Sequence, residues 1–248
     1  VRIRNTGENM TFAIMLQVAE RGEKIFYKPA VLYPWDEIVW GVEVARPDGR
    51  TKKMWAVAGN TLRGFHRIRK DAPGPSLVFR NFYTENKKRI IDRLGEISSW
   101  EELHAFGNDL CNELRPRFTN IKSGILTPYN KLRKQIDLYF ANLTALAREL
   151  DPIRNKLVEH LPLPLDSQMF SHPSVFDEDE LKRHGLKRSD SYGRVLTEDT
   201  YLGLQGILRQ QSAFIGETLG VTFHPIYFDL LWNNRYKNWG GNLFETNP

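Results

Sequence analysis

One cysteine, Cys111, serves the whole 248-residue chain. A lone thiol excludes an intrachain disulfide, a zinc finger and a cysteine-ligated iron–sulfur cluster within one chain. Long apolar runs are missing too. No segment approaches the roughly 18 apolar residues of a membrane-spanning helix, and the opening residues, VRIRNTGENMTFAIML, lack the apolar core of a secretory signal. An intracellular, reducing location and no membrane partner are the resulting expectations. Internal repeats and low-complexity blocks are absent. The histidines at 66, 104, 160, 172, 184 and 224 show no metal-ligand spacing, so neither metal nor other cofactor is expected.

What the chain does have is positive charge and aromatic surface. Its formal net charge is +5, its sequence pI is near 9.2, and aromatic residues make up 12%. Lysines and arginines that neutralise phosphates release counterions, so this balance favours a polyanionic partner, although mild basicity is common in proteins that bind no nucleic acid. The length fits one large domain or two intimate subdomains.

The patterning predicts a mostly α chain. A short amphipathic helix is expected over 10–21, closed by Gly22, then a connection over 23–34 carrying Pro29 and Pro34. Residues 36–45 read as helix, with Val39, Val42 and Val44 leaving a strand open. Arg-Pro-Asp-Gly at 46–49 is a turn that closes a hairpin or joins two helices, the latter favoured, with a cation-rich helix over 51–69. Asp71–Pro75 is the clearest linker, followed by a helix over 77–94. Ser99-Trp-Glu-Glu102 has the form of a capping box, so a helix starts there and stops near Pro116. Residues 117–127 form a loop around Gly124. Beyond residue 170 lie a polar irregular stretch with a short helix at 177–184, a helix from the N-cap Thr197 to Leu219 closed by Gly220, and a last helix over 225–236.

The stretch Asn130–Phe170 organises the rest. It opens with three closely spaced cations, Lys131, Arg133 and Lys134. It continues with Ile136, Phe140, Leu143, Ala147 and Leu150 at helical spacing, one amphipathic face. It ends on LPLPLD, whose Asp166 lies 32 positions after Lys134. A buried helix with a lysine near its start, leading to a proline-stiffened carboxylate, can bring an amine and an anion together. Taken alone, a surface lysine and a helix-capping aspartate are the commoner meaning of these residues.

These parts, in this order and spacing, resemble the helix-hairpin-helix DNA glycosylases that also cut at abasic sites, and within them the archaeal-type 8-oxoguanine DNA glycosylases. KKRII at 87–91 followed by SWEEL at 99–103 is similar to that family's basic helix before the hairpin. DLLW at 229–232 with GNL at 241–243 resembles its final helix and tail, and RTKKMW at 50–55 its early Trp-bearing helix. The likeness runs from about residue 75 to the end and is patchy before.

The resemblance implies a mostly α, two-subdomain helix-hairpin-helix fold with an interdomain cleft. Residues 1–75 plus 161–248 would form one subdomain and 76–160 the one carrying the nucleophile. It implies Lys134 as nucleophile, with Lys131 the alternative, and Asp166 as the anion that steadies positive charge on the sugar. Trp232 and Trp55 would stack the extruded base, while Asp229 and Asn9, with Gln17 the weaker amide, would read its edge. The hairpin over 120–126, with Asn120, Lys122, Gly124 and Lys131, would bind the DNA backbone; it has one glycine where such hairpins usually have two. The implied activity is excision of an oxidised purine, 8-oxoguanine foremost, with strand cleavage. The partner would be double-stranded DNA bearing a damaged base, bound by a monomer.

Two other classes compete. Arg154-Asn-Lys-Leu-Val-Glu-His160 has the R-N-x₄-H form of the HEPN ribonucleases, which cleave RNA by acid–base chemistry without metal. A non-catalytic DNA-binding protein would keep the basic surface and dispense with Lys134.

Overall fold

The computed structural model describes residues 8–45, 48–55, 57, 59–62 and 64–232, with the side chains of 8–11 and Asn60 outside that description. The chain is mostly helical: α1 (Glu8–Gly22), a π-helical turn (Glu23–Tyr27), α2 (Trp35–Trp40), β1 (Val42–Ala45), β2 (Thr51–Met54), α3 (Pro75–Glu85), α4 (Lys87–Glu96), α5 (Trp100–Leu114), α6 (Asn130–Leu146), α7 (Arg154–Val158), α8 (Ser167–Ser171), α9 (Glu178–Arg183) and α10 (Glu198–Leu219). Short 3₁₀ turns fill several joints, at Gly59–Leu62, Arg115–Arg117, Arg148–Ile153, Tyr192–Arg194 and Pro225–Leu231. Among the described residues no helix is long and apolar enough to cross a membrane.

Side-chain caps set many of the boundaries. Ser99 accepts from the Glu102 amide at 3.1 Å, and Glu102 answers to the Ser98 amide at 2.7 Å, one residue further back than the expected box. Thr197 caps α10 through the Thr200 amide, and Gly220, at φ +64°, closes it. The expected single helix over 77–94 is divided at Asn86, which turns its side-chain amide back to the Phe82 carbonyl at 2.9 Å.

The N-terminal third departs most from the sequence expectation. Residues 36–45 split into α2 and β1, and 51–54 form β2 where a cation-rich helix was expected. Val42 pairs with Met54 and Ala45 with Thr51, so the elements flanking 46–49 are paired antiparallel strands and not two helices. The alternation explains it: Val42 and Val44 are buried while Glu43 and Ala45 are exposed, a period of two that no helix supports. Residues 225–231 form a 3₁₀ turn in place of an α-helix; the remainder of that expected helix, and the GNL tail, lie outside the described residues.

Helix α6 is the axis of the molecule. It contacts α2, α5, α7, the π-helical turn and the Tyr192–Arg194 turn. The sequence predicts one apolar face, yet fifteen of its seventeen residues are buried, among them Asn130, Lys131, Arg133, Lys134, Gln135 and Asp137. The apolar ones join a continuous core with Trp35, Phe79, Tyr83, Phe106 and Leu110. Its first amide donors find backbone acceptors: Tyr129 and Asn130 donate to the carbonyls of Leu196 and Val195.

Arg133 and Asp137, one turn apart and essentially without solvent contact, pair at 2.8 Å. Tyr201 of α10 donates to the other Asp137 oxygen at 2.9 Å, and Arg133 donates to the His104 carbonyl of α5 at 2.7 Å. Burial pushes the Asp137 carboxyl up to about 6, against the pull of Arg133 and the Tyr201 hydroxyl. Gly107 makes room for it, since a Cβ there would sit 2.4 Å from the guanidinium. Asp137→Asn strands the Arg133 charge and is expected to cost about 3–5 kcal/mol of stability in urea unfolding, whereas an exposed pair would cost under about 1.

Candidate functional site

Position 166 follows an extended, fully buried LPLPL segment, residues 161–165. Gln205 of α10 fixes that segment as a strand neighbour would, accepting from the Leu163 amide at 3.3 Å and donating to its carbonyl at 2.7 Å. Asn130, the first residue of α6, donates to the Leu165 carbonyl at 2.9 Å and to the Tyr192 carbonyl at 3.1 Å. One buried amide therefore ties the start of α6 to both the Asp166 segment and the Tyr192 turn.

Asp166 is the N-cap of α8, and its two oxygens divide the work. Oδ1 accepts from the amides of Gln168 and Met169 at 2.9 and 3.2 Å. Oδ2 faces Lys134, whose Nζ lies 3.3 Å away. Both side chains are well shielded, at 8% and 16% exposure. One carboxylate thus caps a helix with one oxygen and faces an amine with the other.

Lys131 sits one turn before Lys134 on the same face of α6. Its ammonium donates to the Tyr192 hydroxyl at 3.0 Å and lies 4.9 Å from the centre of the Phe65 ring. Both lysines press on Tyr192, their nitrogens 4.7 and 4.6 Å from its ring centre. Gly64, at φ +84°, lets the chain pass close above: a Cβ there would fall 2.8 Å from the Lys131 ammonium. Burial first, then the Lys134 charge, lowers the Lys131 amine below the usual lysine range. Burial pushes the Tyr192 hydroxyl up to about 12, so it remains protonated beside both amines. Gln135 closes the far edge, donating to the Thr61 carbonyl at 3.2 Å.

The other predicted residues are placed as follows. Trp55 follows β2, not a helix; its Nε1 donates to the Trp40 carbonyl at 3.1 Å and Arg80 lies 5.2 Å from its ring centre. Trp232 is half-buried, its ring 6.0 Å from that of His172 at the end of α8. Asp229 is half-buried in the 225–231 turn and Gln17 is exposed on α1, while the Asn9 side chain lies outside the described residues. Asn120 is engaged with its own protein, exchanging two hydrogen bonds of 2.9 Å with the Arg69 main chain. Lys122 and Gly124 are exposed, Gly124 at φ +80°. Arg154 is buried and donates to the Thr144 carbonyl at 2.9 Å and to Asp151 at 2.5 Å, holding α6 to the turn before α7.

Reasoning on the sequence missed Tyr192, Asn130, Gln135 and Phe65. Tyr192 sits in a polar stretch without periodicity, so no local signal marks it. Asn130 stood at the head of the recognised helix, but its role depends on partners 35 and 62 positions away. Comparison with protein-family models, with curated proteins and with solved structures finds no match for this chain.

The depressed Lys131 amine carries a stability consequence. Its folded value lies below the 10.5 of the free side chain, so between the two the unfolded chain binds more protons and stability rises with pH. The penalty is fully present below the folded value. Lys131→Met is therefore expected to be more stable than wild type at pH 7 in urea unfolding, with the gain shrinking toward pH 10.5. A difference that does not change with pH would contradict this account.

Proposed function

We propose that the chain is a bifunctional DNA N-glycosylase and abasic-site lyase that excises an oxidised purine, 8-oxoguanine foremost, from double-stranded DNA. The observation that carries this reading is the shielded amine–carboxylate pair, Lys134 Nζ 3.3 Å from Asp166 Oδ2, at the head of a helix preceded by a glycine-bearing turn. The same residues, in the same order, underlie the resemblance to helix-hairpin-helix glycosylases. In this reading α5, the turn at 120–126 and α6 form the helix-hairpin-helix unit. Residues 76–160 would face 1–75 plus 161–248 across a cleft, and the protein would act as an intracellular monomer.

The chemistry follows from the two side chains. Unprotonated Lys134 attacks C1′ of the extruded nucleotide; the glycosidic bond breaks and its electron pair leaves with the base, which takes up a proton. Positive charge grows on the sugar as that bond lengthens, and the Asp166 carboxylate, already fixed by two backbone amides, meets it without reorganising. The amine loses a proton, the sugar ring opens, and an imine joins C1′ to Nζ. Removal of a C2′ proton then expels the 3′ phosphate, breaking the strand. Both amines lie against the ring of Tyr192, their nitrogens 4.7 and 4.6 Å from its centre.

The ribonuclease reading needs a free Arg154, and the hydrogen bonds to Thr144 and Asp151 give that side chain a structural task. Borohydride, which reduces the imine to a stable amine, tests the glycosylase directly. With an 8-oxoguanine duplex, wild type is expected to give a covalent adduct and Lys134→Gln none; loss only in Lys131→Gln would transfer the nucleophile to that residue. RNA cleavage dependent on Arg154 and His160 without any DNA adduct would favour the ribonuclease, and duplex affinity without adduct or nicking a binding protein.

A second measurement isolates the carboxylate. Asparagine also caps helices, so Asp166→Asn is expected to stay folded while base release falls by about 10²-fold or more. Unchanged single-turnover rates would remove Asp166 from the chemistry.

A further inference from the structure

Beyond Phe65, which packs under the Lys131 ammonium, the chain emerges as five consecutive exposed residues, His66, Arg67, Ile68, Arg69 and Lys70. They are held, not loose. Ile68 donates to the Asn120 carbonyl at 2.9 Å, and Lys122 to the His66 carbonyl at 3.0 Å. Arg67 and Ile121 make an antiparallel bridge, and the Asn120 side chain clasps the Arg69 main chain from both sides. The result is a two-stranded ridge built on the turn that contains Gly124. Beside it opens a cleft of about 560 Å³, lined in part by Ile68, Arg69, Val78, Arg117 and Ile121.

Charge and apolar surface alternate along this ridge. Arg67, Arg69, Lys70 and Lys122 have no carboxylate partner among the described residues, unlike nearby Arg117, which pairs with Glu85. Between the arginines stands Ile68, 60% exposed, more than any other large hydrophobic side chain described. A solitary exposed isoleucine needs no explanation on most surfaces. This one is held by its backbone hydrogen bond to Asn120 and flanked by cations without a carboxylate partner among the described residues, at a short reach from the amines. Cations at such spacing suit phosphates, whereas an isoleucine gains nothing there; apolar side chains do gain by entering between base pairs, where they unstack a step.

We propose that residues 66–70 with Lys122 grip the duplex backbone, and that Ile68 enters the base stack in the place vacated by the extruded nucleotide. This rests on the glycosylase reading above. Ile68 lies three positions after Phe65, at most roughly 10 Å of extended chain, so the wedge and the amines would serve adjacent positions on one strand.

The test uses the full chain and an 8-oxoguanine duplex with 2-aminopurine next to the lesion, whose fluorescence rises on unstacking. Ile68→Ala is expected to lose that rise and to release the base about tenfold or more slowly from duplex. Ile68→Leu should restore both. Borohydride trapping of Ile68→Ala on a single-stranded abasic oligonucleotide, where there is no stack to open, should match wild type. Arg67→Ala with Arg69→Ala should weaken duplex binding and lower the slope of log affinity against log salt by about 2. Wild-type behaviour of Ile68→Ala on duplex, or an unchanged salt slope in the double variant, overturns the ridge assignment while normal trapping leaves the glycosylase standing. Absence of both duplex binding and adduct in wild type removes the glycosylase and the ridge with it.

Discussion

Burying the first two turns of α6 is the constraint from which the rest follows. Six polar or charged side chains leave water together there, and each isolated loss of hydration would cost several kcal/mol without a partner. Arg133 resolves its share inward, against Asp137, Tyr201 and the His104 carbonyl. That arrangement requires Gly107 on α5 to leave room for the guanidinium and Tyr201 on α10 to reach the carboxylate, so it constrains where both helices lie. A buried ion pair adds little net stability over well-packed apolar residues, but it tolerates few alternative arrangements. Here it sets the rotation of α6, and rotation decides which way the other two cations point.

With Arg133 turned to the core, Lys131 and Lys134 are left on the face that meets the Asp166 segment and the Tyr192 turn. Asn130 and Gln205 then fix those two pieces of chain by main-chain hydrogen bonds that need no particular side chain in return. The carboxylate is held at one oxygen by backbone amides and offers the other to Lys134. The site is assembled from rigid parts, and its anion does not depend on the amine for its own position.

Much of this could be read from the residues, where the signal was local. Ser99, Thr197 and Gly220 marked helix ends because capping chemistry acts within three or four residues. The Lys134–Asp166 pairing was legible through its spacing within a recognised pattern. What escaped was non-local or weakly periodic. β1 and β2 have four residues each, too short for alternation to outweigh the helical look of a Lys-rich segment. The burial of α6 on nearly all sides could not be seen because its polar residues meet partners on α5, α10, the 59–62 turn, the Asp166 segment and the Tyr192 turn, none of which is near in sequence. Tyr192, shared by both lysines, was hidden for the same reason. The exchange between the Asn120 side chain and the Arg69 main chain was hidden too, because the two lie 51 positions apart.

The two lysines also resolve a difficulty inherent in any amine beside a carboxylate. An anion 3.3 Å away favours the ammonium form, which cannot attack an electrophile. Lys131 supplies the opposing influence. Among the described residues it has no acidic partner, only the Phe65 ring and the ring and hydroxyl of Tyr192, and it shares the Tyr192 ring with Lys134. The helix end adds to this, since the first turn of α6 presents amide dipoles that disfavour cations. Burial first, and then the charge of Lys134, lowers the Lys131 amine. In the proposed reaction the Asp166 carboxylate would therefore meet charge developing in the sugar from a position that its two backbone amides, and not Lys134, already fix.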